Sequence, residues 1–334
     1  MHMADALLSP AVGGVMYAAS AGAIGWAVKK IDREQIGEKK LPLMAVSGAF
    51  VFAAQMVNFS IPGTGSSGHI GGGVLLAGLL GGAPALPVLA AVLAVQCLLF
   101  ADGGLLALGA NIFNMGVIPC IIVWPLVYRP ILRNGITTRR LWCASVLSAV
   151  LGLQLGAFAV VLETVFSGVT ELLFSTFVAL MQPIHLAIGL AEGIVTAGVL
   201  FYVHKTRPEL IESAVTDKTE RGVPMKRTVI VLAALAVIIG GGFSLLASSD
   251  PDGLEWSMEH TAGTADLKRD GGIYSATASA QDRIVLLPDY DFAEGDGSGT
   301  AISGLVGAAA TCVLAGGIGL AITLAKAKRK KEKT

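Results

Sequence analysis

Residues 73–101, GVLLAGLLGGAPALPVLAAVLAVQCLLFA, carry no charge, and the number of times they cross a bilayer decides the fold. A membrane helix needs about 20 predominantly apolar residues. The segment GGAPALP at 81–87 concentrates glycine and proline, the residues that interrupt helices, so the stretch reads as two short helical pieces. Outward from it, apolar runs near 11–29, 42–59, 104–127, 141–163, 183–203, 228–247 and 301–325 predict further helices. The whole chain of 334 residues is 54% hydrophobic and 14% charged, a balance that excludes an ordinary soluble domain. Its 42 glycines suit helices whose backbones approach closely inside a membrane.

The basic residues test the count. Segments 29–40, 129–140, 205–227 and 326–334 hold five, four, six and six of them, 21 of the 24 in the chain. Lys and Arg collect in cytoplasmic loops. All four segments share that side only if 73–127 crosses an odd number of times, which two spans within 73–101 provide. The expected fold is an all-α polytopic helical bundle of about seven spans plus a two-span accessory unit. Its N-terminus is outside, its C-terminus is cytoplasmic, and residues 248–300 form an external loop with eleven carboxylates, read as solvated. Residues 1–204 form the first unit, 205–227 a polar cytoplasmic linker that reads as a tether, and 228–334 the second unit.

The four cysteines lie in apolar runs without the paired spacing of a zinc site or disulfide framework, and read as core residues. The start, MHMADALLSP, has Asp5 and no basic residue, unlike a cleavable signal peptide, so it is expected to stay on the mature chain. Methionine is trimmed ahead of small residues, and histidine is large.

Retention matters because residue 2 offers a chelate that no internal histidine can. The Met1 amine, the His2 amide nitrogen and His2 Nδ1 can hold one ion through a five-membered and a six-membered ring. Three nitrogens in a plane suit Ni(II) and Cu(II) and leave one corner open. His69, in the glycine- and serine-rich loop NFSIPGTGSSGHIGGG, can fill it. The plainer alternative is a loop histidine and an accidental second residue. Amine and amide must both lose protons to bind metal, so affinity should fall in acid. His204 and His260 read as surface residues.

In QPIHLAIGLAEGIVTAGVL, His185 and Glu192 are seven residues apart and share a helix face. An ionisable group at Glu192's depth is costly and points to a functional or inter-helix role. In ADGGLLALGANIFNMGVIP, which also holds Asp102, Asn111 and Asn114 share a face and read first as packing residues able to bond across helices, with a supporting or pathway role as the alternative. The chain has neither GxxxxGK[ST] nor HExxH, so no catalytic residue is assigned, and transport energy must come from an ion gradient or a separate ATPase.

MHMADALLSP, GTGSSGHIGGG, LLALGANIFNMGVIP and PIHLAIGLAEGIVTA, in that order over residues 1 to about 205, together resemble the nickel and cobalt substrate-specific components (NikM/CbiM) of energy-coupling-factor transporters. PDGLEWS at 251–257 resembles the signature of the small accessory N component of those systems, fused here to the first unit. The resemblance implies capture of Ni(II) or Co(II) as transported substrate by Met1, His2 and His69. It also implies a membrane coupling component and cytoplasmic ABC-type ATPase subunits as partners, in the cell membrane and without nucleic acid. Nickel is favoured over cobalt. The competing readings are cobalt uptake by the same mechanism, a proton-coupled secondary metal carrier using Glu192, and an intramembrane metalloenzyme built on His185 and Glu192.

Overall fold

The computed structural model describes residues 1–33, 40–216, 226–265, 267–292, 297 and 299–331. Its long helices are α1 (Pro10–Arg33), α2 (Leu41–Gln55), α3 (Gly73–Leu80), α4 (Gly82–Phe100) and α5 (Leu108–Leu132). They continue with α6 (Thr138–Ser167), α7 (Phe174–Thr206), α8 (Pro208–Thr216) and α9 (Lys226–Gly241). Then come α10 (Gly253–Ala262), α11 (Gly272–Asp282) and α12 (Thr300–Lys331). A two-stranded antiparallel ribbon, β1 (Phe59–Ile61) and β2 (Ser66–Gly68), lies between α2 and α3. Among the described residues six helices are long and apolar enough to cross a membrane: α1, α4, α5, α6, α7 and α12. Large apolar side chains such as Val313 and Leu324 point outward, as they do where lipid rather than water is the solvent.

Residues 73–101 are two helices, broken at Gly81 where φ is +90°. They are not two full spans. The eight residues of α3 are about 12 Å long, less than half the hydrocarbon core. Non-helical backbone at 66–72 leads into α3. It dips into the bundle until the Gly71 and Gly72 amides meet the Glu192 carboxylate halfway along α7, at 2.8 and 3.0 Å. Non-helical backbone survives at such depth only where protein satisfies its polar groups, and Gln55 Nε2 also donates to the Gly71 carbonyl at 2.8 Å. Gly72 has φ +76°, and a Cβ there would come 2.4 Å from Val51, so only glycine fits.

The crossing parity survives this change. The far end of α3 lies beside Ala214 of α8, and Arg129 Nε at the end of α5 donates to the Val215 carbonyl at 2.7 Å. Both ends therefore share one face with α8, while the chain start, the ribbon and residues 101–107 share the opposite face. Along α5, Phe113–Tyr128 is wound as a π-helix containing Pro119 and Pro125, whose missing N–H groups break the regular α ladder.

The linker differs from its expected character. Its described first part continues α7 to Thr206 and then forms α8, which buries Leu210, Ile211, Ala214 and Val215, so it packs rather than tethers. The apolar spacing of one helix face outweighs the charges between. Residues 217–225 lie outside the described residues. The second unit is not held at a distance either. α12 runs along α2, where a Cβ on Gly307 would strike Phe52, and it crosses α9 at the Gly240–Gly304 contact. About half of the described residues of the expected external loop are helical, and α10 and α11 lie over the chain start.

Candidate functional site

The first eight residues plug into one end of the bundle. Met3, Leu7 and Leu8 are fully buried. Asn111 holds Met3 by both backbone groups: its Oδ1 accepts from the Met3 amide at 2.8 Å, and its Nδ2 donates to the Met3 carbonyl at 3.2 Å. Asn114 lies against the Met3 sulfur at 3.8 Å and donates to Glu163 Oε2 at 2.8 Å. The two asparagines therefore grip the N-terminal segment, and Asn114 also bonds across to α6. Asp5 adds a third fastening, accepting from the Ala107 amide at 3.0 Å and from Thr277 of α11 at 2.7 Å.

This strap brings Met1, His2 and His69 together. The rings of His2 and His69 stack with centroids 5.2 Å apart and planes 19° from parallel. His69 Nδ1 is 3.0 Å from the Ile70 carbonyl and must donate to it, which leaves the lone pair on Nε2, the tautomer a metal ligand needs. The Met1 amine is 2.5 Å from Asp252 Oδ2, and both groups are largely buried. His2 Nδ1 lies 3.0 Å from Asp102 Oδ1, and His2 Nε2 lies 3.2 Å from Gln96 Oε1. Gln96 spends its amide donor on Gln55 at 3.0 Å and so turns its oxygen to His2. Both ring nitrogens thus face acceptors, and the amine faces a carboxylate. Two donors expected to chelate a metal, the Met1 amine and His2 Nδ1, are thus each paired with a carboxylate.

The carboxylates answer to those charges. Burial works against ionising Asp102, yet the His2 ring beside it, with bonds from His2 and Tyr290, holds its pKa at about 2. Burial likewise opposes the charge on Asp252, and the Met1 ammonium more than offsets it, keeping that carboxyl well below its usual range.

His185 and Glu192 do not act as a pair. His185 donates from Nδ1 to the Met181 carbonyl at 2.8 Å, and its buried Nε2 has no hydrogen-bond partner among the described residues. It borders a small cavity that Met1, His69 and Asp252 also line. Glu192, two turns further along α7, holds the loop backbone instead. His260 stacks on Trp256 at the exposed surface, with ring centroids 4.1 Å apart. No group of three or more His, Cys, Asp or Glu side chains among the described residues is spaced to hold a metal.

The sequence did not single out Asp252, Gln96 or Gln55, and it named Asp5 and Asp102 without giving either a part in the site. Gln55 and Gln96 left a trace as amides inside apolar helices, where a polar group needs a partner. Asp252 left one in the PDGLE signature.

Residues 2–210 match the family model described as the cobalt uptake substrate-specific transmembrane region (CbiM), and residues 226–324 match the PDGLE domain. The fused nickel transport protein NikMN of Rhodobacter capsulatus is 30% identical over 358 residues, covering 99% of both chains. The putative fused nickel transport protein NikMN of Archaeoglobus fulgidus is 32% identical over 311 residues, covering 92% of this chain and 94% of its own. The crystal structure of a transition metal transporter superposes with a TM-score of 0.54 at 32% identity, covering 63% of this chain and 95% of that one.

Proposed function

The chain belongs to the cobalt uptake substrate-specific transmembrane (CbiM) family and carries a PDGLE domain, and from that premise we propose that it captures nickel ions for uptake across the cell membrane. It is a multi-pass membrane transport protein rather than an enzyme. The ligands in this reading are the Met1 amine, the His2 amide and Nδ1, and His69. The supporting observation is the convergence of the buried Met1 with the stacked, half-buried His2 and His69 rings. Loading then exchanges protons for metal: the amine gives up one proton while keeping its contact to Asp252, and the His2 amide gives up its own. Asn111, Asn114 and His185 hold or border the N-terminal segment, and Glu192 fixes the loop that carries His69.

In this reading residues 1–204 are the metal-binding unit, 205–227 the connection and 228–334 the accessory unit. The N-terminus and site face outward and the basic segments face the cytoplasm, in keeping with the distribution of Lys and Arg. The missing nucleotide-binding pattern leaves energy supply to partners, a membrane coupling component and cytoplasmic ABC-type ATPases. Vesicles carrying the chain with those partners should take up Ni(II) only with ATP. Uptake by the chain alone, driven by a proton gradient, would establish a secondary carrier instead.

Cobalt is the second reading, favoured by the description of the matching family model. Nickel is preferred because a planar nitrogen set suits it and because the near full-length relatives above are named for nickel transport. In competition on the purified chain, Ni(II) should displace Co(II); tighter cobalt binding would reverse the assignment.

A further inference from the structure

Asp252 belongs to the accessory unit and lies 251 residues from the amine it touches. Its two oxygens have different tasks. Oδ1 caps α10, accepting from the Leu254 and Glu255 amides at 2.7 and 2.9 Å, while Oδ2 takes the Met1 amine. The same turn grips the loop carrying the second histidine. The Pro251 carbonyl accepts from the Ser67 amide at 2.8 Å, and Ser67 Oγ donates to the Asp250 carbonyl at 2.7 Å. Trp256 Nε1 donates to the Thr64 carbonyl at 2.9 Å. One capped turn therefore touches both elements that bring ligands to the site.

We propose that Asp252, in the PDGL turn of the accessory unit, is a positioning residue for the metal site, fixing the orientation of the Met1 amine relative to His69. This rests on the amine being a ligand. When Ni(II) binds, the nitrogen forms a bond to the metal and one ammonium proton leaves to solvent. Two N–H bonds remain, and the one directed at Oδ2 stays on it. That contact limits rotation about the N–Cα bond and so fixes the amine beside the cavity that Met1, His69, His185 and Asp252 line. The carboxylate cannot swing away without uncapping α10. Partners that orient metal ligands in this way typically contribute about 10–100-fold to affinity. The accessory unit would thus complete the site of the capture unit within a single chain.

Asn serves as well as Asp at a helix N-cap, so D252N keeps the Oδ1 cap while placing an amide donor, instead of an acceptor, against the amine. In the purified full chain, D252N should bind Ni(II) about 10–100-fold more weakly and shift its d–d absorption band. E255Q, which alters the reciprocal capping bond to the Asp252 amide and leaves the Asp252 side chain in place, should keep wild-type affinity and spectrum. The proposal falls if D252N matches wild type in both readouts, or if E255Q weakens binding as much as D252N, which would make helix capping the cause. A chain extended by one residue before Met1 separates the two failures. Full affinity there removes the amine ligand itself, whereas a weak extended chain beside a tight D252N removes only the role of Asp252.

Discussion

One residue added before Met1 should cost the protein high-affinity Ni(II) binding, by at least about a hundredfold or about 2.8 kcal/mol, while leaving it folded. The extension converts the amine into an amide with no free lone pair. It also removes the charge that Asp252 pairs with in a largely buried position, at 2.5 Å. His2→Ala should reach a similar loss by another route, deleting Nδ1 and breaking the contacts to Asp102 and Gln96. The fold should tolerate both, since Asn111 holds the segment through the Met3 backbone, which neither change alters. Competition titration against a chromophoric chelator reads the affinity, and N-terminal sequencing of each preparation confirms which residue is first. Full affinity in the extended chain would eliminate the amine as a ligand.

The parts of this site visible in the sequence were those fixed by covalent chemistry or by the bilayer. A histidine at position 2 chelates through its own backbone wherever the fold puts it, and span lengths follow from membrane thickness. Hidden were the features set by tertiary contact. Asp252 sits in a motif recognisable as PDGLE, but nothing in local sequence says that one of its oxygens faces an amine 251 residues away. α3 looked like a span because its residues are apolar; that it is only half of one depends on the non-helical backbone before it and on its hydrogen bonds to Glu192. α8 was legible in principle, since Leu210, Ile211, Ala214 and Val215 recur at helical spacing, but the surrounding charge drew attention to solvent instead. Asn111 and Asn114 share a face as expected, and the partner they were assigned was another helix, whereas the structure adds the chain's own N-terminus.

Glu192→Gln should damage the site from below without touching a ligand. The carboxylate accepts two backbone N–H groups, Gly71 at 2.8 Å and Gly72 at 3.0 Å, two and three residues beyond His69. A glutamine can accept one of these bonds with its oxygen, but its NH₂ then confronts the other amide, donor against donor. A buried donor left unsatisfied costs about 1–3 kcal/mol. Glu192→Ala strands both donors and should cost roughly twice as much. The cheapest response is for the 66–72 backbone to lift away, and His69 moves with it. Ni(II) affinity should therefore drop sharply in both variants, with Ala the worse, and the loop should lose protection in hydrogen exchange at Gly71 and Gly72. A proton-relay role for Glu192 predicts a different pattern, in which E192Q keeps equilibrium binding and loop protection and loses only transport. Observing that pattern would return Glu192 to the transport path and leave the loop to be held by Gln55 alone.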